Sequence, residues 1–185
     1  MKKLLALLLA LVMVLSIAAC GGETKDPENE TPEKNLQIIE METEASGLEE
    51  LTKATFGVPE NMKVEEKDWC YIITDEKQNV EIEAYICCDY DCYSYNQEYN
   101  KEQEGYGEQK FGNFDGYYYI DGSGYYVEVN VYLGCVAEMD DVYLSFTIGA
   151  LEGSSDNPME LFNLKDVQTL LSSAAFYPAQ EPAEG

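Results

Sequence analysis

"VEIEAYICC", residues 80–88, alternates without a break: Val80, Ile82, Ala84, Ile86 and Cys88 fall on one side, Glu81, Glu83, Tyr85 and Cys87 on the other. A period of two with one apolar and one polar row is the pattern of a strand in a half-buried sheet. Clean alternation of this kind belongs to antiparallel sheets, which can leave one face wet. The same pattern recurs on both sides of it. Trp69 to Thr74 is a candidate strand joined to it through the polar turn Asp75 to Asn79. Lys110 to Ile120 and Tyr125 to Leu133 form a hairpin about the turn Asp121-Gly122-Ser123-Gly124, with Val127, Val129, Val131 and Leu133 on its buried row. Val142 to Ile148 repeats it, with Val142, Leu144, Phe146 and Ile148 inward.

Helical signals flank these strands. Ser46 with Glu49 makes a capping box, Leu48, Leu51 and Thr55 share a helical face, and Gly57 stops it, so the spacing predicts a helix over 46–57. Tyr93 to Gly105 is polar and tyrosine-rich, a surface helix or a long loop, and the helix is the preferred reading. A last helix begins at Asn157-Pro158, or at Asn163 with Asp166, and carries Leu164, Val167, Leu170, Leu171 and Ala174 on one face before Pro178. The expected fold class is α+β. An antiparallel sheet of about five to six strands has helices at the start and end of the domain packed on one face. The domain spans 46–178, with a frayed tail over 179–185. This order of elements is similar to small sandwich-like domains of the Mog1/PsbP kind that occur in bacterial lipoproteins.

Ahead of the domain the chain changes character twice. Lys2 and Lys3 precede an apolar run from Leu4 to Ile17, short of the roughly 20 residues a membrane-spanning helix needs, so it reads as a signal-peptide core. Ile17-Ala18-Ala19-Cys20 resembles the lipobox of bacterial lipoproteins, in particular those on Gram-positive surfaces. The resemblance implies a diacylglyceryl group on the Cys20 thiol, with or without a further N-acyl group, and signal peptidase II cleavage between Ala19 and Cys20. Residues 1–19 would then be a signal peptide, and the protein would be lipid-anchored on the extracellular side of the cell membrane. Two acyl chains matter because each buried methylene contributes about 0.8 kcal/mol and one chain holds only marginally. Residues 20–45 are polar and charged, and read as a disordered acidic tether of about 25–30 Å mean span. Its one apolar patch, Leu36 to Ile39, is also compatible with a first strand.

Composition bounds the chemistry. The 185 residues hold 36 acids against 11 lysines, no arginine and no histidine, for a formal charge of −25. Such a surplus repels phosphate backbones, so nucleic acid is not an expected partner, and favours cations or basic partners. Histidine-dependent nucleophiles, arginine clamps and histidine-bearing zinc sites cannot be built. Beyond the acyl groups on Cys20, no cofactor and no metal is expected.

With Cys20 acylated, Cys70, Cys87, Cys88, Cys92 and Cys135 remain. "CCDYDC" lacks zinc-ribbon spacing and contains no Cys-x-x-Cys, so buried thiols are the leading reading, with structural disulfides second. Asp89, Asp91, Tyr93 and Asn96 do not fit a calcium loop. Of the 15 tyrosines, most suit half-buried sheet surface. A functional reading makes outward rings near Tyr118 and Tyr126, among Glu128 and Asn130, a contact surface. No catalytic residue stands out. The expected role is a binding module for a protein or glycan partner, and the alternative is a cell-wall hydrolase using carboxylates.

Overall fold

The computed structural model describes residues 35–44, 51–90, 92–136, 140–153, 155 and 157–178. Ala19, Cys20, the apolar leader and the capping box at Ser46 lie outside them. All of the described residues belong to one unit, 34–185.

Among the described residues ten strands make two antiparallel sheets: β1 (Leu36–Thr43), β2 (Thr52–Pro59), β3 (Lys63–Glu66), β4 (Tyr71–Asp75), β5 (Val80–Tyr90), β6 (Gly107–Phe111), β7 (Phe114–Ile120), β8 (Val127–Val136), β9 (Asp140–Ala150) and β10 (Ala175–Tyr177). The large sheet runs β3-β4-β5-β9-β8-β7-β6, and the small one β1-β2-β10. Among the described residues three helices accompany the sheets: α1 (Cys92–Asn100), α2 (Pro158–Phe162) and α3 (Lys165–Leu171). The α+β class and the antiparallel sheet are as expected.

The core lies between the inner face of the large sheet and a lid made of the small sheet with α2 and α3. Val80, Ile82 and Ala84 are buried there beside Val127, Val129, Val131, Leu144, Phe146 and Ile148. Phe56 of β2 meets Phe146 edge-on, with ring centroids 5.5 Å apart. Val167, Leu170 and Leu171 close the core from α3. Each wholly buried side chain of this kind contributes about 1.5–3 kcal/mol, so the paired apolar rows hold the two layers together.

Several boundaries differ from the sequence-based expectation, each for a physical reason. Thr52 to Gly57 is strand, not the second half of a helix. Thr52, Ala54, Phe56 and Val58 are all fully buried at a spacing of two, and β2 pairs on both sides, which outweighs the helical spacing of Leu51 and Thr55. No helix therefore opens the sheet among the described residues. The stretch 36–43 is not tether but β1, because Ile39 and Met41 have a core to enter. Lys110 to Ile120 is two strands folded at Gly112, whose φ of +62° suits the turn. Ala174 falls beyond α3, where the chain re-enters a sheet as β10. These extra short strands take the total past the five or six expected.

Two polar contacts tie the lid to the sheets. The Ser173 hydroxyl accepts the Gly57 amide at 2.7 Å and reaches the Leu170 carbonyl at 2.6 Å, fixing the end of α3 to β2. Asp75 accepts the Lys77 amide (2.9 Å) and the side-chain amides of Asn61 and Gln78 (2.9 Å each). Asn61 also donates to Asp166 at 2.8 Å, linking the β4–β5 turn to α3.

Candidate functional site

The outer face of the large sheet is the one the lid leaves open, and its rows follow from register. Glu83, Thr147, Glu128 and Tyr119 lie side by side, followed by Tyr85, Ser145, Asn130 and Tyr117, then Cys87, Tyr143 and Tyr132. These rows carry Tyr85, Tyr117, Tyr119, Tyr132 and Tyr143.

Helix α1 covers part of this face. Its sequence, CYSYNQEYN, is a poor helix former, and tertiary contacts hold it. The Tyr93 ring packs on Tyr132, Tyr117 and Tyr143 at centroid distances of 4.8, 5.2 and 5.6 Å. Asp141 accepts the Tyr93 amide at 3.2 Å and the Tyr132 hydroxyl at 3.2 Å, so a carboxylate from β9 caps the helix start. Tyr93, Tyr117 and Tyr143 are buried, and burial drives all three phenols well above their ordinary range. Burial also pushes Tyr132 up to about 12, with the Asp141 charge adding to it. These rings are a second, smaller core, not a contact surface.

The remaining half of the outer face is uncovered. Trp69, in the connection between β3 and β4, is 67% exposed and meets the Tyr85 ring edge-on at 6.0 Å. It borders a depression of about 750 Å³ that Glu65, Glu66, Lys67, Asp68, Cys70, Ile72 and Glu83 also line, with Lys67 ion-paired to Glu65. Further along, Glu128 accepts the Thr147 hydroxyl at 3.0 Å. Burial raises the Glu128 carboxyl, the Thr147 bond opposes that, and the charges of Asp121 and Glu83 add to it. Burial pushes the neighbouring Tyr119 up to about 12, with the Glu128 charge next in weight.

Tyr126 and Tyr118 part company. Tyr126 is 43% exposed, and its ring lies so close over Gly149 that a β-carbon there would come within 2.4 Å of it. Asp121 fixes this turn by accepting the Tyr126 amide and the Ser123 hydroxyl. Burial alone would raise the Asp121 carboxyl, but those bonds outweigh it and hold it low. Tyr118 pairs with Val129 on the inner face, and its ring packs on Phe162 at 4.7 Å. It is therefore not part of the outer surface, and Tyr117 and Tyr119 take that side. Alternation counted back from Val129 across the hairpin gives this parity.

From sequence, Trp69 has no role at a surface and Glu128 figures only as a neighbour of the outward tyrosines. The first was assigned to a strand; the second becomes a buried-edge carboxylate only through its neighbours on β7 and β9. Among the described residues no group of three or more cysteines or carboxylates could hold a metal ion.

No family model matches the chain. No curated protein matches it either. Two solved structures are similar in part. One is LpqN, involved in cell envelope biogenesis of Mycobacterium tuberculosis, with a TM-score of 0.45 and 14% identity, over 77% of this chain and 92% of that one. The other is a protein from Bacteroides thetaiotaomicron, with a TM-score of 0.45 and 10% identity, over 71% of this chain and 46% of that one. At this overlap neither likeness bears on function or location.

Proposed function

We propose that the protein is an envelope lipoprotein, anchored through a diacylated Cys20 after cleavage behind Ala19, whose domain is a binding module for a partner held near the membrane. Residues 20–35 serve as the tether. The observation that carries the binding role is the depression on the outer face that exposed Trp69 borders, where the carboxylates of Glu65, Glu66, Asp68 and Glu83 outnumber the single cation, Lys67. Aromatic rings beside carboxylates suit an ammonium or guanidinium group, which is attracted both by the ring face and by the charge. Of the two partner classes, protein and glycan, this favours a basic protein segment.

The test is titration calorimetry of the chain from residue 20, carrying Cys20→Ser, against a lysine oligopeptide and against a neutral cell-wall oligosaccharide. Binding of the peptide that Trp69→Ala weakens about tenfold or more supports the reading. Equal binding by wild type and Trp69→Ala removes the site. Preference for the oligosaccharide replaces the partner class.

A second reading rests on Glu128, whose raised carboxyl has the character of a general acid. In a cell-wall hydrolase, Glu128→Gln would abolish release of soluble sugar from purified wall. In a binding module the wild type releases none.

A further inference from the structure

Five cysteines are described, and none is in a disulfide. We infer that Cys87 and Cys92 form a convertible dithiol, a site where a disulfide-bearing oxidant makes a bond between strand β5 and the first residue of helix α1. The inference is independent of what occupies the outer face.

Register and packing single out this pair. Cys87 stands directly opposite Tyr143 across β5 and β9, on the outer face. Cys92 returns over the same spot with its sulfur 3.8 Å from the Tyr143 hydroxyl. That hydroxyl is within hydrogen-bonding reach of both sulfurs, and both side chains pack on one tyrosine cluster. The other thiols are placed differently. Cys88 pairs with Val142 and packs on the main core, through the sheet from Cys92. Cys70 is buried beside Trp69 at the far hairpin. Cys135 is exposed, one step further along the sheet beside Asp141, with its thiol turned to the Val136 carbonyl at 3.7 Å.

Cys92 is suited to be the attacking sulfur. It is the first residue of α1, and the Asn96 side-chain amide donates to it at 3.1 Å. In the first step the Cys92 thiolate attacks one sulfur of the oxidant, forming a mixed disulfide and expelling one thiolate. In the second, the Cys87 thiolate attacks the Cys92 sulfur and expels the other. The chain loses two electrons and two protons, and the oxidant leaves as two thiols that take up both. Tyr143 stays protonated throughout and hydrogen-bonds whichever sulfur faces it. The product closes a short loop over residues 88–91 and pins the start of α1 to the sheet.

The experiment treats the full chain, purified in detergent, with oxidised glutathione, and maps the products by peptide mass spectrometry. The expected result is loss of two thiols per chain, a Cys87–Cys92 cross-linked peptide lighter by two hydrogens, reversal by dithiothreitol, and slower amide exchange over residues 92–100. Cys87→Ser and Cys92→Ser each leave the partner cysteine as a glutathione adduct, whereas Cys88→Ser oxidises like wild type. Circular dichroism of each variant establishes that it is folded. A bond from Cys92 to Cys88 or Cys135 overturns the pairing. Retention of every thiol by the native chain, when the urea-unfolded chain oxidises, overturns the site.

Discussion

Glu128 and Asp75 are carboxylates whose surroundings push them in opposite directions, and the contrast makes each testable. Burial raises Glu128 above the 4.5 of an ordinary glutamate. Its folded form therefore holds the proton more tightly than the unfolded chain does. The stability linked to that proton is complete below the unfolded value and is lost as pH rises through the folded one. Glu128→Gln, which keeps the shape without the charge, should gain stability relative to wild type as pH rises above 4.5, read from urea midpoints at several pH values. A wild-type-to-variant difference that stays flat with pH would remove Glu128 as a shifted group. At Asp75 burial also acts upward, but the Gln78 side chain, the Lys77 and Gln78 amides and Asn61 outweigh it and hold the carboxyl below its usual value. Its contribution is present above the unfolded pKa and lost as pH falls through the folded one. Asp75→Ala should cost about 1–2 kcal/mol at neutral pH, because the Lys77 and Gln78 amides and the Asn61 and Gln78 side chains lose a charged acceptor. That deficit should shrink in acid.

Among the elements, α1 depends most on its surroundings. Tyr93 is its one buried residue, and Tyr93→Ala removes the ring that Tyr117, Tyr132 and Tyr143 enclose. The expected cost is about 3 kcal/mol, with faster amide exchange over 92–100 and little change in β5 or β9. Uniform loss of protection across the sheet would show that the tyrosine cluster is part of the main core instead. The helix itself was legible in the sequence, as were the strands centred on β5, β8 and β9, because their periodicity is uninterrupted and their burial follows it. Strand β2 was not legible as strand: a capping box and Leu48, Leu51 and Thr55 compete locally with the buried row from Thr52 to Val58, and only pairing with β1 and β10 decides between them. The candidate surface was half legible. Tyr126 keeps its place, but the run Tyr117-Tyr118-Tyr119 carries no apolar alternation of its own, so the parity that turns Tyr118 inward comes from the cross-strand partner Val129. The depression beside Trp69 is made by residues from three strands and had no linear signal.

For the whole molecule, charge governs how the domain meets a membrane. With 36 acids against 11 lysines, the chain is repelled by an anionic bilayer, and the repulsion reaches about 10 Å at 0.1 M salt. No described helix is long and apolar enough to cross a bilayer. Attachment in the proposed arrangement therefore rests on the acyl groups alone, two of which exceed what one marginal chain supplies. Cys20→Ala, expressed in the native host, should lose the acylated amino-terminal peptide by mass spectrometry and move from the detergent phase to the aqueous phase on partitioning. The purified chain from residue 20 with Cys20→Ser should fail to sediment with vesicles containing anionic lipid, at low salt and at high salt alike. Sedimentation that disappears as salt rises would mean that a basic patch holds the protein, and salt-independent sedimentation that the folded domain inserts apolar surface. Either result would take the anchoring role away from Cys20. Its absence, together with an unmodified aqueous Cys20→Ala chain, leaves the domain free on its tether, with the Trp69 face repelled from the lipid by its own carboxylates and open to a partner of opposite charge.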